Sequence, residues 1–277
     1  AIGTDAMTTN VAADRNVAVG EQALQNMTAA SSTDTYNTAV GYNAGVNVTT
    51  GVNNTLIGGL AGDAITTGDN NVVLGMSALT TNTTGAQNVS IGSASLEVNT
   101  TASNNTAVGF KSLNKNTTGS ESTAVGTGAL ESNTTAQNTA LGFYAGRLNT
   151  TGDGNTALGR YALSSNTDGS NNVAIGTVAL QTTTQSNCVA IGVHSQRYAG
   201  GNDNTSVGYY TLRLSTGANN TALGYQAGSS VTSGTNNTFV GGQAGDGTDD
   251  GNGNVAVGKE ALSGNCGNNN TAVGLLA

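Results

Sequence analysis

Three features of the chain predict an all-β fold, a parallel β-solenoid or β-roll of about 16 coils with a repeat of 16–17 residues. A glycine preceded by an aliphatic residue recurs at 3, 20, 41, 58, 75, 92, 109, 126, 142, 159, 176, 192, 208, 224, 241, 258 and 274. The period covers the whole chain, which is the mark of stacked repeats. Within each repeat the apolar positions before the glycine alternate with a period of two, the spacing of a strand. Asn stands four residues before the glycine in 14 of the 16 repeats that include the position.

The strand comes first. The residue before each marker glycine is aliphatic, as in Val40, Ile57, Leu74 and Val108, and the residue two earlier is Val or Thr, as in Thr38, Thr55, Val72 and Thr106. Between them lies a mostly small residue such as Ala39 or Ala107, with Leu56, Val73 and Phe239 as the large ones. A strand puts the flanking pair on one face and the middle residue on the other, and glycine ends each run too soon for a helix.

The Asn row is interrupted only by Ser122 and Cys188. Identical side chains stacked coil over coil can pair with one another, and Asn tolerates the left-handed backbone of a tight corner. Corner chemistry is favoured over a row of ligand-binding amides.

After the glycine comes a small residue, mostly Ala, and then either Leu or Gly. Leu24, Leu79, Leu96, Leu113, Leu130, Leu163, Leu180, Leu212 and Leu262 form one class; Gly45, Gly62, Gly146, Gly228 and Gly245 form the other. A second short strand or bend is expected here. The Leu row either fills the coil interior or makes a stripe against another chain. Asn-Thr-Thr-Gly runs at 82–85, 116–119 and 149–152 close the coil as turns, with Gly supplying positive φ.

Because the period never lapses, residues 1–277 are expected to form a single repeat domain. Its first coil, 1–20, is degenerate: Met7 takes the Leu position, and Asp14 and Arg15 break the usual turn. Residues 27–36 carry the one four-residue insertion and are expected to be a surface loop. From 188 to 212 the pattern loosens, with Cys188, His194, Gln196, Arg197 and Thr211 at otherwise regular positions.

Composition narrows the function. The net charge is −8, with eight Lys and Arg against 16 Asp and Glu. That disfavours nucleic acid, whose phosphates need basic partners, and leaves no polybasic patch for a membrane surface. No apolar run is long enough to insert in a bilayer. The chain has 41 Gly and no Pro, but no Gly-X-Y period, so collagen is excluded. Cys188 and Cys266 lie several coils apart, beyond disulfide reach, so both are expected to be free thiols. The chain begins and ends within a repeat, as expected for a segment with neighbouring domains.

Candidate sites are few. His194 is the only histidine, so neither a Ser-His-Asp set nor a zinc site can be built around it; a surface histidine is expected. Asp249 and Asp250 sit in a glycine-rich turn and are weak candidates for Ca²⁺, a solvated turn being favoured. The carboxylates never recur at one repeat position, so the pair a glycosidase needs is unsupported. No enzymatic activity, cofactor or metal is expected. Tyr209 and Tyr225 hold equivalent positions in adjacent coils, as do Tyr144 and Tyr161. These four are weak candidates to stack on sugar rings, a cross-coil aromatic pair being the simpler account. The Asn-x-Thr sequons at Asn82, Asn116, Asn133 and Asn149 are by-products of the repeat.

The phrases Asn-Thr-Ala-Val-Gly-Tyr-x-Ala-Gly at 37–45, Asn-Thr-Ala-Leu-Gly-Tyr-Gln-Ala-Gly at 220–228 and Asn-Val-Ala-Ile-Gly at 172–176 resemble two groups. One is the repeat head of trimeric autotransporter adhesins, which are trimeric parallel β-rolls with a shorter repeat. The other is the repeat shaft of phage tail fibres. The resemblance spans essentially the whole chain. It implies a homotrimeric structural and adhesive segment of an extracellular fibre, on a virion or a cell surface, that contacts a host-surface glycan or protein. A viral tail fibre is the first expectation and a bacterial surface adhesin head its close alternative. An ice-binding solenoid is a further alternative, carried by the row Thr49, Thr66, Thr83, Thr100, Thr117, Thr134 and Thr150; a polysaccharide depolymerase is another.

Overall fold

A computed structural model describes residues 1–10, 12–28, 33–182, 184–198 and 200–277. It is an all-β parallel β-solenoid of about 15 turns at a spacing of about 17 residues. It divides into two compact units, Ala1–Asn138 and Thr139–Ala277. In the first, the three-residue strands Val17–Val19, Thr38–Val40, Thr55–Ile57, Val72–Leu74, Val89–Ile91, Thr106–Val108 and Thr123–Val125 pair in parallel in chain order. The register sets like on like: Thr106 lies beside Thr123, Ala107 beside Ala124 and Val108 beside Val125. The second unit repeats the arrangement from Thr139–Leu141 to Thr271–Val273.

The marker glycines make the stacking possible. They hold φ between 129° and 146°, a region closed to side chains. A Cβ on Gly109 would lie 2.6 Å from the backbone of Gly126, and one on Gly176 2.6 Å from that of Gly192. Glycines such as Gly109 and Gly176 are therefore required twice, by their own dihedral and by the neighbouring coil, whereas Gly274, where an added Cβ would meet only Ala277 at 3.7 Å, is required by its dihedral alone.

The middle residue of each strand faces inward. Ala39, Ala107, Ala140 and Ala174 are fully buried, as are Leu56, Val73 and Phe239. The aliphatic residue after it points outward, and Leu74, Leu141, Leu158 and Leu223 are 41–48% exposed. The Leu row is resolved in favour of the interior: Leu24, Leu79, Leu96, Leu113, Leu180 and Leu212 have no exposed surface.

No second strand forms among the described residues after the glycine; the segment is a turn. The Leu positions all take left-handed φ, between 44° and 53°. The residue two places earlier does the same, as at Ala94 and Lys111, both 55°. This alternation turns every other N–H towards a neighbouring coil: Ala94 N–H donates to the Met76 carbonyl and Leu96 N–H to that of Ser112, each at 3.0 Å. The turn thus satisfies its backbone across coils, as a strand would, without extending.

Interior volume is exchanged between the two inward rows. Leu56 fits because Gly45 and Gly62 leave room, and added Cβ atoms there would fall 2.5 and 2.9 Å from its methyl groups. Phe239 is flanked in the same way by Gly228 and Gly245. The Gly class of the turn is therefore, at these four positions, the complement of a large strand residue.

The Asn row is a buried ladder, but it works from side chain to backbone more than from amide to amide. Asn71 Oδ1 accepts the backbone N–H of Asn88 at 3.0 Å, while its Nδ2 donates to the Gly85 carbonyl at 3.0 Å. Asn220 does the same with the N–H of Asn237 and the Gly234 carbonyl. The left-handed corner residue is the one before the ladder Asn, as at Asn53, Asn70 and Asn104, not the ladder Asn itself. Cys188 fills the ladder position with a buried thiol, and Cys266 is also free.

The insertion is only partly the expected surface loop. Met27 and Thr35 are buried, and Thr33–Asp34 pairs in parallel with Ala13–Asp14 in a small second sheet. Arg15 bonds to Asp34 at 2.8 Å and to the Tyr36 hydroxyl. Residues 29–32, the centre of the insertion, lie outside the described residues. Among the described residues no helix is long and apolar enough to cross a membrane.

Candidate ligand-binding surface

With the third and fourth residues after the glycine, and in most described coils the seventh, turned inward, positions one, two, five and six form the outer face of the turn. In Thr139–Ala277 this face gathers aromatic and cationic side chains. Tyr209 and Tyr225 stack with centroids 5.7 Å apart and planes 5° from parallel. Tyr144 and Tyr161 are also 5.7 Å apart, tilted by 40°, and Phe143 meets Tyr161 edge-on at 5.5 Å. The cross-coil pairs expected from the repeat positions are thus present.

Of the arginines over these rings, the sequence marked only Arg197, as a departure from the repeat, and none as a binding residue. Arg147 lies 4.5 Å from the Tyr144 centroid and Arg160 4.8 Å from that of Tyr161. Arg197 lies 4.7 Å from Tyr198, and Arg213 bridges Tyr210 at 4.9 Å and Tyr198 at 5.7 Å. A guanidinium within about 6 Å of a ring centroid is held by the ring's negative face. Their signal was available: Arg197 and Arg213 hold the same repeat position in adjacent coils.

His194 completes this cluster. Its ring stacks on Tyr210 at 4.8 Å with the two planes only 2° from parallel, and its Nδ1 lies 3.2 Å from Arg197 Nη1. Partial desolvation first, then the charges of Arg197 and Arg213, hold its pKa below the usual histidine value. The neutral ring therefore prevails at pH 7, with Nδ1 able to accept from Arg197. Arg197 Nε donates to Gln181 Oε1 at 3.0 Å. Neither Arg197 nor Arg213 takes part in an ion pair among the described residues, and Arg213 Nε is buried without a partner. Beneath the patch the interior is polar: Gln196 takes the Leu position and donates to Ser206 Oγ at 2.7 Å and to the Val189 carbonyl at 3.0 Å.

The other candidates are placed differently. Asp249 and Asp250 are exposed, and Asp249 Oδ1 accepts the Thr232 hydroxyl at 2.5 Å. Among the described residues no group of three His, Cys, Asp or Glu gathers to hold a metal. The Thr row donates its hydroxyls along the stack, Thr49 to the Thr66 carbonyl and Thr66 to that of Thr83, both at 3.0 Å. Those donors are thus committed to the coils rather than displayed to water. The sequon residues Asn82, Asn116, Asn133 and Asn149 are fully buried.

Compared with models of known protein families and with curated proteins, the chain matches none.

Proposed function

We propose that this chain is a repeat segment of an extracellular fibre that assembles as a homotrimer and adheres to a host surface. The observation that carries the proposal is the outward aliphatic file. Every coil turns a Val, Ile or Leu to the outside at the same strand position, including Leu141, Leu158, Ile191 and Leu223 at 36–48% exposure. A solvated sheet face has no need of an unbroken apolar file, and contiguous apolar surface of this kind marks an interface. Copies of the same chain are suited to cover it, since their files share its repeat. The resemblance of the Asn-Thr-Ala-Val-Gly phrases to phage tail-fibre shafts and adhesin heads supports the same reading. The 16–17-residue period favours the tail fibre over the adhesin heads with their shorter repeat. Adhesion then gains from several identical weak sites presented together.

Sedimentation equilibrium tests the assembly. A species of three times the 27.2 kDa chain mass is expected, reduced to monomer by Leu141→Asp with Leu158→Asp. A monomer at micromolar concentration in the unmodified chain would overturn the trimer. Retention of the labelled chain on intact cells tests adhesion, and its absence across a broad panel of bacterial hosts would remove the adhesive role.

A further inference from the structure

We infer that the surface formed by His194, Arg197, Tyr198, Tyr209, Tyr210 and Arg213 binds an acidic polysaccharide, one that carries carboxylates on hydroxyl-rich rings. The inference rests on the adhesive reading and names the ligand class of its site. In a chain of net charge −8, the turn faces of the coils from Gly142 to Ser230 carry Arg147, Arg160, Arg197 and Arg213 and no carboxylate. The acids of this stretch, Asp153, Asp168 and Asp203, belong to other parts of the repeat. Segregation of charge on an acidic protein points to an anionic partner.

The geometry narrows the partner further. Arg213 is held over two tyrosine rings with no ion-pair partner, and its Nε lacks an acceptor. A guanidinium fixed in this way presents its remaining N–H groups in a fork that suits a carboxylate. The tyrosines add phenolic hydroxyls, with Tyr198 and Tyr209 at 40% and 43% exposure. Hydroxyl donors and acceptors beside ring edges suit a sugar.

A nucleic acid is the less favoured polyanion. Its dense phosphates call for many cations, and this cluster supplies two guanidiniums and a neutral imidazole. Single-strand binding also needs ring faces open to stacked bases. Here the face of Tyr210 is covered by His194 and Arg213, and Tyr198 lies under Arg197 and Arg213.

Biolayer interferometry of the full chain on immobilised alginate, with dextran and single-stranded oligo-dT as comparison surfaces, tests the inference. Salt-sensitive binding to alginate is expected, with dextran and oligo-dT much weaker. Arg197→Gln with Arg213→Gln is expected to weaken alginate binding about tenfold or more while the far-UV circular dichroism of the folded chain stays unchanged. Arg213→Lys should recover only part of the loss, because charge returns without the fork. Equal binding to dextran, tighter binding to oligo-dT, or alginate binding that the double variant leaves intact would each overturn it. Cell adhesion that survives the double variant would refute this ligand while leaving the adhesive reading in place; loss of adhesion in the unmodified chain would refute that reading itself.

Discussion

The two units use one backbone for different surfaces. On the outer turn face, Ala1–Asn138 carries Asp5, Glu21, Asp63, Glu97 and Glu131 against Lys111 and Lys115, with Tyr42 as its only tyrosine. The same positions of Thr139–Ala277 carry four arginines, Lys259, His194 and most of the tyrosines against only Asp246 and Glu260, both towards the C-terminal end. Yet the glycine file, the Asn ladder and the inward Ala row are common to both. Stacked repeats of this kind derive stability from neighbour on neighbour, so positions that face the next coil are constrained and positions that face water are free to specialise. Substitutions at shared positions should therefore act alike in both units, and substitutions at divergent positions should not.

The largest effect belongs to the glycine file. Gly109→Ala in the first unit and Gly176→Ala in the second each meet a forbidden φ and a backbone contact at 2.6 Å. Each is expected to lose more than about 4 kcal/mol in denaturant unfolding. Gly59→Ala and Gly242→Ala, where a Cβ meets nothing within 4 Å, should stay near neutral. A tolerated Gly109→Ala would break the account of the shared file.

Next come the large inward residues, where the units differ in kind. Phe239→Ala is expected to cost about 3–5 kcal/mol and Leu56→Ala about 2–5 kcal/mol. Volume exchange makes a sharper claim. Gly245→Leu should be destabilising alone, because its Cβ would fall on the Phe239 ring, but should restore part of the loss in Phe239→Ala. Leu at this turn position already takes left-handed φ in Leu212 and Leu262. Additive losses in the double-mutant cycle would refute the exchange.

The ladder separates the units at one rung. Asn71→Ala strips the buried Asn88 N–H and Gly85 carbonyl of their partners and is expected to cost about 2–3 kcal/mol. At Cys188 the second unit has a weaker rung, since the backbone N–H of Asn204 faces sulfur, and the thiol donates to the Gly201 carbonyl at 3.4 Å. Cys188→Asn should therefore stabilise, by about 1 kcal/mol, where Asn→Ala in the first unit destabilises. Burial also raises the Cys188 thiol pKa, so Cys266 should alkylate first in the folded protein.

How far these features could be read in advance follows from how few residues each position admits. The marker glycines were legible because no side chain fits there. The Asn row was visible as a row, but its work was assigned to the wrong residue: Asn53 and Asn104 take the left-handed corner, while the side chains of Asn54 and Asn105 bridge coils by accepting the backbone N–H of Asn71 and of Ser122. Of the strand or bend expected after the glycine, the bend forms, and the strand was a live alternative because Leu at φ near 48°, as in Leu24 and Leu113, defies the rule that positive φ selects Gly or Asn. Coil-to-coil hydrogen bonds and burial of the side chain override that preference. The tyrosine pairs could be read from equal repeat positions. The arginines over them could not be weighed until the inward rows were known, since only then do positions two, five and six share a surface.

The smallest effect is on pH dependence, and there the units are expected to oppose each other. His194 lies in the second unit with its folded pKa lowered. On acidification below about pH 6.5 the unfolded chain takes up its proton first, so stability should fall until the folded pKa is passed. Asp63, in the first unit, has its pKa raised by burial, and its buried Oδ1 has no hydrogen-bond partner. There the folded state takes up the proton first, so stability should rise as pH falls through the raised folded pKa and level off below the unfolded value. Asp246, raised mainly by burial, adds the same sign within the second unit at the lower pH. Unfolding midpoints measured from pH 7.5 to 3.5 should therefore dip before any recovery, with the dip removed by His194→Gln and the recovery reduced by Asp63→Asn. Because His194 sits against Arg197 and Arg213, the same acidification should strengthen retention on alginate above the polymer's own carboxylate pKa. If His194→Gln keeps the dip, the histidine is not its source.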